Sequence, residues 1–346
     1  MKTSINMSSK NPPASLRILV SQKSIGDLEA LLKIDGNIKT HTVKLLVAEE
    51  QTPGVEFDAA LISRDVTATS TKQKVIPSTQ TFYDLLLNSQ ELRWVQIHSA
   101  GADRQIYLDL MARGVTISGS SGVNAPIVMQ NAIAGILMLA RKFPLMLKAQ
   151  AERRWDPLIN HPLPLDLAGQ TAIIVGRGPI GGSIANVLNT MGVKTISVGF
   201  NAALKDSKST SNEVRHISDL PQVLPQAQWL VLACPLSGET RGLINRDAMN
   251  SMPNGAHIIN IARGEIIVES DLIEALKSQK LAGAYLDVFA SEPLDPSSPL
   301  WSMENVIVTP HSAGHSAGNE KRVLELFIEN LGLFAAGEKL KNQIAT

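Results

Sequence analysis

The sequence predicts an α/β protein of two domains, each built on a doubly wound parallel sheet, and three observations carry that prediction. The chain has 346 residues, more than one hydrophobic core usually organises. Short β-rich runs alternate with amphipathic helical stretches along most of its length, a pattern that calls for parallel pairing through crossover helices. The alternation also starts twice, the second time at an apolar strand, Thr171–Gly176, that breaks into a glycine-rich turn.

The first series opens at Leu16 with the strand Arg17–Val20, followed by a helix over Ile25–Ile34 and a strand over Thr42–Val47. It continues with strand Ala59–Ile62, a helical Phe82–Leu87, strand Trp94–Ile97, a helix over Gln105–Ala112 and strand Val115–Ile117. Residues 1–15 are polar, lack the apolar centre of a signal peptide and read as a loose tail. One long helix is expected from Ala125 to about Leu147, with Pro126 in its first turn and apolar residues over much of its circumference, so it must be buried. Trp155–Pro164, rich in Pro, His and Asn, reads as a loop or arm.

The second series runs strand Thr171–Gly176, helix Ile180–Met191, strand Thr195–Gly199, helix Leu220–Leu224 ended by Pro225, strand Trp229–Ala233, helix Asn245–Met252, strand Ile258–Ala262, helix Glu269–Ser278, strand Ala284–Val288 and strand Val306–Val308. That is a Rossmann layout. The helical segment from Ala317 to about Ala336 is too short to be a domain and is expected to return to the first one. The expected organisation is therefore a first domain of 16–124 with 312–346 and a second domain of 125–311.

The turn that restarts the series reads Gly176-Arg177-Gly178-Pro179-Ile180-Gly181. A strand ending in this spacing and opening a helix turns backbone N–H groups toward a pyrophosphate at the positive end of the helix dipole. Gly176 permits the tight turn, Gly178 lets phosphates approach, and Gly181 lets helix and strand pack closely. The spacing points to a dinucleotide.

Composition narrows the partners. Lys plus Arg and Asp plus Glu number 32 each, so no net charge favours nucleic acid or an anionic membrane. A single cysteine, Cys234, rules out an internal disulfide and fits a reducing, cytoplasmic setting. The most apolar window, Ala132–Ala140, is too short to span a bilayer.

Ligands in open α/β sheets bind beyond the carboxyl ends of the strands, and three segments place reactive side chains there. Asn260-Ile261-Ala262-Arg263-Gly264 leaves a strand on a guanidinium able to clamp a carboxylate bidentately. Asp287 closes another strand, with Glu292 in the loop after it, and Thr309-Pro310-His311-Ser312-Ala313-Gly314 presents an imidazole beyond a third. Together these supply a carboxylate clamp, an acid/base and a carboxylate that could orient the imidazole and favour its charged form. His41, His98, His161, His216, His257 and His315 are read as incidental.

With these segments in order, the chain resembles the D-isomer-specific 2-hydroxyacid dehydrogenase family. GRGPIG, Ala233-Cys234-Pro235-Leu236-Ser237-Gly238-Glu239-Thr240, NIARG, LDVFASEP and TPHSAG stand in the family's order and spacing, and Trp94–Asp103 looks like its substrate loop. The resemblance covers nearly everything after about Leu92. It implies an NAD(P)-binding Rossmann domain, a flavodoxin-like substrate domain and an interdomain cleft holding a small 2-oxo or 2-hydroxy acid. It implies Arg263, Glu292 and His311 as the catalytic set, with Ser99, Ala100 and Gly101 holding the substrate carboxylate through backbone N–H groups. Cofactor contacts are expected from Gly176, Arg177, Gly178, Pro179, Ile180, Gly181, Asn201, Cys234, Pro235, Thr240, Ile261, Ala262, Asp287, Ser312 and Gly314, and a metal from none. Trp301 either lines the substrate pocket or simply packs. A homodimer is implied, through the arm near Arg141–Pro164.

Two places depart from the family pattern. The end of the strand Thr195–Gly199 reads Val198-Gly199-Phe200-Asn201, without the acid that bonds the ribose hydroxyls of NAD, which turns the expectation toward NADPH. The arginine that usually meets a 2′-phosphate is missing there too, leaving Asn201, Lys205 or Lys208. Met129-Gln130-Asn131 stands where many relatives carry an Ala-Glu pair. Formate dehydrogenases carry glutamine at the place of Glu292 and are set aside, and too few residues follow His311 for a phosphoglycerate dehydrogenase with a C-terminal regulatory domain. A cofactor-sensing corepressor of the same fold is the rival class. Glyoxylate and hydroxypyruvate are the small acids that Ser99-Ala100-Gly101 and Trp301 suggest.

Overall fold

The computed structural model of the chain describes residues 15–34, 42–71, 74–102, 104–200 and 212–344. Residues 1–14 of the expected tail, together with His41, Asp103, Asn201, Lys205 and Lys208, lie outside them. The chain divides into two compact units, Met1–Val123 with Ser316–Thr346 and Asn124–His315. Ser312 and Gly314, assigned by the sequence to the first domain, thus fall in the second unit with His311.

In the first unit β1 (Ser15–Val20) leads to α1 (Ile25–Ile34), β2 (Thr42–Val47), β3 (Ala59–Ile62), α2 (Arg64–Thr67), α3 (Pro77–Asn88), β4 (Trp94–Ile97), α4 (Gln105–Ala112) and β5 (Thr116–Ser118). The strands pair in the order β2-β1-β3-β4-β5, all parallel. Alternate side chains face opposite layers, as a pleated strand requires. Ala60, Ile62, Val95 and Ile97 meet Phe82, Leu86, Ile106 and Leu110 on one side. Leu16, Ile18, Ala59, Leu61 and Trp94 cover the other. Strands buried on both faces need the near-continuous apolar runs that made them legible in sequence.

The second unit begins with α5 (Ala125–Ala140) and α6 (Phe143–Ala151). These replace the single helix expected over 125–147. The chain breaks at Lys142, which takes φ 54°, because Pro144 continued in the same helix would lose a hydrogen bond and clash with the carbonyl four residues earlier. Then come β6 (Thr171–Val175), α7 (Pro179–Thr190), β7 (Lys194–Gly199), β8 (Asn212–His216), α8 (Leu220–Val223), β9 (Trp229–Leu232), α9 (Arg246–Ser251), β10 (Ala256–Asn260), α10 (Glu269–Lys277), β11 (Leu281–Leu286) and β12 (Val306–Val308). The sheet order β12-β11-β10-β9-β6-β7-β8 is fully parallel and reverses direction of winding between β6 and β9. A ligand crevice is expected at that switch point.

Three strands show the clearest differences from the sequence reading, and one is β11, which runs Leu281–Leu286 where Ala284–Val288 was expected, so Asp287 stands just past its end. β8 was not foreseen: Asn-Glu-Val-Arg-His has one apolar side chain, as befits an edge strand that needs no second buried face. β10 ends at Asn260, not Ala262, so Ile261, Ala262 and Arg263 belong to the loop that leaves it. The remaining packing follows the apolar stripes. α5 lies against α7, β10 and β11, and Gly135 is where the Tyr285 ring enters; a Cβ there would lie 2.5 Å from the ring's Cγ.

The chain closes with α11 (Asn319–Ala336), which returns to the first unit's sheet. Phe327 stacks on Trp94 at 5.2 Å between ring centroids. Asn330, fully buried, donates through Nδ2 to Gln96 Oε1 at 2.9 Å and accepts from the Lys341 N–H at 2.8 Å. Gln96 in turn accepts from Ser118 Oγ at 2.8 Å and donates to Ser120 Oγ at 3.2 Å, tying α11 to the carboxyl ends of β4 and β5. Among the described residues no helix is long and apolar enough to cross a membrane.

Candidate active site

The dinucleotide turn is set by close approach. Gly176 takes φ 119°, a backbone conformation that L side chains rarely adopt, and any Cβ on it would collide with the Ala233 carbonyl at the end of β9. A Cβ on Gly181 would collide with the Gly176 carbonyl, so α7 starts directly on the turn. Gly178 differs: nothing lies within 4 Å of the place of its Cβ, and the residue is exposed. The first turn of α7 carries Pro179, no acidic side chain and no side-chain cap. Open space at Gly178 and unclaimed N–H groups at a helix N-terminus fit a pyrophosphate. Ile180 is half-buried against α5 and β6 neighbours and supports the turn.

The segment after β9 is braced from within. Thr240, fully buried, donates through Oγ1 to the Pro235 carbonyl at 2.8 Å and accepts from the Ser237 N–H at 2.7 Å, which closes the turn that Pro235 opens. Burial pushes the Cys234 thiol up to about 11, so it stays protonated and packs as a small apolar side chain.

At the next three strand ends the reactive side chains are positioned by neighbouring backbone. Beyond β10, the buried Asn260 accepts from the Ala262 N–H at 3.1 Å and donates to the Arg263 carbonyl at 3.1 Å, folding Ile261–Arg263 into a fixed loop. Arg263 donates through Nη1 to the Ala262 carbonyl at 2.7 Å. A Cβ on Gly264 would overlap the Phe289 carbonyl carbon, so the loop carrying Arg263 presses on the one carrying Glu292. Glu292 Oε1 accepts from the Phe289 N–H at 3.1 Å, and its Oε2 meets His311 Nδ1 at 2.8 Å. Burial raises the Glu292 pKa, but the His311 hydrogen bond and charge, the Phe289 N–H and the Arg263 charge outweigh it and hold the carboxyl below its ordinary range.

His311 itself takes φ 49°, unusual for a non-glycine residue. Its N–H donates to the Asp287 carbonyl at 2.8 Å. The Asp287 carboxylate, 2% exposed, accepts from Thr309 Oγ1 at 2.6 Å, the Ser312 N–H at 2.8 Å and the Ala313 N–H at 3.0 Å. Both its oxygens are therefore engaged inside the fold, around the loop that carries His311. Asn131 of α5 adds a clamp, donating to the Ala313 carbonyl at 2.9 Å. Trp301 is exposed and donates its indole N–H to the Asp295 carbonyl at 3.0 Å; no hydrogen bond joins it to His311. A Cβ built on Gly314 would lie in ordinary contact with Val128 and Asn124.

In the first unit, the Ser99–Gly101 loop follows β4. Its carbonyls face inward: Ser99 O accepts from the Ser120 N–H at 2.8 Å, and Gly101 O accepts from Ser99 Oγ at 2.9 Å. The N–H groups of Ser99, Ala100 and Gly101 reach no acceptor among the described residues. Ile62 pairs with Ile97 in the sheet, and Arg64 opens α2 two residues beyond it. Burial, then the charge of Arg104, lowers the Arg64 pKa, and Arg64 has no ion pair among the described residues.

Comparison with known proteins agrees with this layout. The family model of the D-isomer-specific 2-hydroxyacid dehydrogenase NAD-binding domain matches residues 133–313, more than half of the chain. The chain belongs to the D-isomer-specific 2-hydroxyacid dehydrogenase family. The dehydrogenase is 31% identical over 270 residues to a glyoxylate reductase of Aeropyrum pernix, covering 75% of this chain and 78% of that one. It is 30% identical over 230 residues to a hydroxypyruvate reductase of Blautia hydrogenotrophica, covering 65% and 70%. A crystal structure from Xanthobacter autotrophicus Py2, a D-isomer-specific 2-hydroxyacid dehydrogenase in complex with NADPH and MES, matches with TM-score 0.71 and 28% identity over 95% of this chain and 98% of that one. The dehydrogenase is thus an NAD(P)-dependent oxidoreductase with a Rossmann domain.

Several residues that shape the dehydrogenase's site were not singled out from sequence. Asn260 and Thr309 sit inside quoted motifs but drew no notice, because their work is done on backbone and on a buried carboxylate. Arg64 stands two residues past the strand Ala59–Ile62, and a search of every strand end finds it. Of the other histidines, His98, His161 and His216 pair locally with Thr67, Asp156 and Ser218. His257 stacks on Trp229, and burial lowers its pKa to about 4. Among the described residues no group of three or more His, Cys, Asp or Glu is placed to hold a metal.

The depressed Glu292 carboxyl has a measurable consequence. A folded-state pKa below the ordinary 4.5 contributes stability that is present above the unfolded pKa and lost as pH falls through the folded one. Denaturant titrations of wild type and Glu292→Gln should therefore differ most near neutrality and converge as the pH drops below 4.5. A difference that stays constant across that range would contradict the pairing.

Proposed function

We propose that the enzyme reduces a small 2-oxo acid to the D-2-hydroxy acid, reversibly, with His311 as acid/base. The observation that carries this reading is the 2.8 Å contact of His311 Nδ1 with Glu292 Oε2, which fixes the ring and leaves Nε2 for a substrate oxygen. Reduced nicotinamide, when bound, supplies the hydride to the carbonyl carbon. Arg263 and the N–H groups of Ser99, Ala100 and Gly101 hold the substrate carboxylate, a planar guanidinium and backbone donors being suited to two coplanar oxygens. Orientation of this kind converts a bimolecular encounter into a positioned one. His311 delivers a proton from Nε2 to the carbonyl oxygen, and Glu292 stabilises the imidazolium before delivery.

Glyoxylate and hydroxypyruvate, the acids for which the similar reductases are named, are the substrates proposed for this chain. The missing acid at Gly199 favours NADPH over NADH. The arm and α6 expose Phe143, Leu147, Trp155, Ile159, Leu163 and Leu165, an apolar surface suited to a second copy, and a homodimer is proposed. The reducing setting inferred from the lone Cys234 is taken to be the cytoplasm.

A panel of 2-oxo acids against NADPH and NADH tests the reading. Turnover on glyoxylate or hydroxypyruvate is expected, and His311→Ala should lose about a thousandfold in kcat while binding nucleotide as before. An active His311→Ala enzyme overturns the assignment. Absence of turnover on every acid, with nucleotide altering binding to a protein partner, would favour the corepressor class instead. Light scattering should give twice the monomer mass, and a monomer mass would reject the dimer.

A further inference from the structure

The stem of Arg177 lies against Gly199, the last residue of β7, the second strand of the Rossmann series. Gly199 ends β7, and a Cβ built on it would be 2.9 Å from Arg177 Cδ, 3.0 Å from Cγ and 3.6 Å from Cβ. The aliphatic stem thus runs flat across the strand end. The same turn is fastened there by the backbone, since the Gly176 N–H donates to the Val198 carbonyl at 2.8 Å and Val175 pairs in register with Val198.

In a Rossmann sheet with its pyrophosphate on the first βα turn, the adenosine ribose reaches the end of the second strand, here β7. A carboxylate at that place bonds the two ribose hydroxyls, whereas a guanidinium accommodates a 2′-phosphate. After the strand the expected arginine is missing, and the sequence offers only Asn201, Lys205 or Lys208 to meet the phosphate. Arg177, inside the G-x-G turn, brings its stem to the same strand end from the neighbouring turn. Gly199 is then explained by packing: any side chain on it would push the arginine stem aside.

We propose that Arg177, laid across Gly199, is the residue that recognises the 2′-phosphate and gives this enzyme a preference for NADP(H). The proposal rests on the reading of the Gly176–Gly181 turn as the cofactor site. It adds a side-chain role to a turn whose other contacts to cofactor come from backbone.

Adenine nucleotides that differ only at the 2′ position separate the two claims without catalysis. Isothermal titration of the full chain with 2′,5′-ADP and with 5′-AMP should show tighter binding of 2′,5′-ADP. Arg177→Ala should weaken 2′,5′-ADP by about tenfold or more and leave 5′-AMP within about twofold, while Arg177→Lys, which keeps a point charge, should recover part of the difference. Equal weakening of both ligands in Arg177→Ala, with no recovery in Arg177→Lys, overturns the proposal by reducing Arg177 to a prop for the turn. So does unchanged 2′,5′-ADP affinity. Failure of the wild-type chain to bind either nucleotide is a separate result, and it overturns the cofactor-site reading itself.

Discussion

The buried carboxylate of Asp287 is the constraint on which the rest of the site depends. Removing a carboxylate from water costs several kcal/mol unless its lone pairs are met, and here Thr309, Ser312 and Ala313 all donate to it. Meeting that requirement forces the chain after β12 to wrap around Asp287. The wrap carries His311 into a left-handed backbone conformation that costs roughly 1 kcal/mol or more for a non-glycine residue. Strain at one residue is tolerated because the donors on either side of it are already fixed. The result is an imidazole whose Nδ1 meets Glu292 Oε2.

Parallel strands explain why so few residues suffice. Each strand of the second unit points its carboxyl end the same way, so β10, β11 and β12 deliver Arg263, Glu292 and His311 to one rim without any long excursion of the chain. Close backbone packing then sets the spacing. Gly264 lets the Arg263 loop press on Phe289 and Ala290, and the field of Arg263 reaches Glu292 as a result. The nucleotide turn follows the same logic, with Gly176 and Gly181 bringing β6, β9 and α7 together and Gly199 making room for Arg177.

Much of this was legible in the sequence, and the failures share a cause. Strands such as Ala59–Ile62 and Trp229–Leu232 declared themselves because a strand buried on both faces must be apolar throughout. β8 did not, since an edge strand carries polar residues and reads as loop. The α5 and α6 break was masked by apolar residues on both sides of Pro144. Reactive groups could be picked out because they stand at strand ends in recognisable order. Their braces could not: Asn131 acts on Ala313 across 182 positions of sequence, and nothing local in Met129-Gln130-Asn131 announces it. The reach of Arg177 was likewise invisible, because the sequence shows which residues follow a strand but not which side chain from the neighbouring turn lies over its end.

If the Asp287 wrap is what holds His311 in place, its removal should disable chemistry and spare the cofactor turn, which lies on other strands. The direct measurement is 2-oxo-acid-dependent oxidation of NADPH by Asp287→Ala, taken alongside nucleotide binding by the same preparation. The account predicts turnover as low as that of His311→Ala with the affinity for 5′-AMP, which needs only the Gly176–Gly181 turn, unchanged. Turnover near the wild-type rate would show that His311 reaches Glu292 without Asp287 and would contradict it.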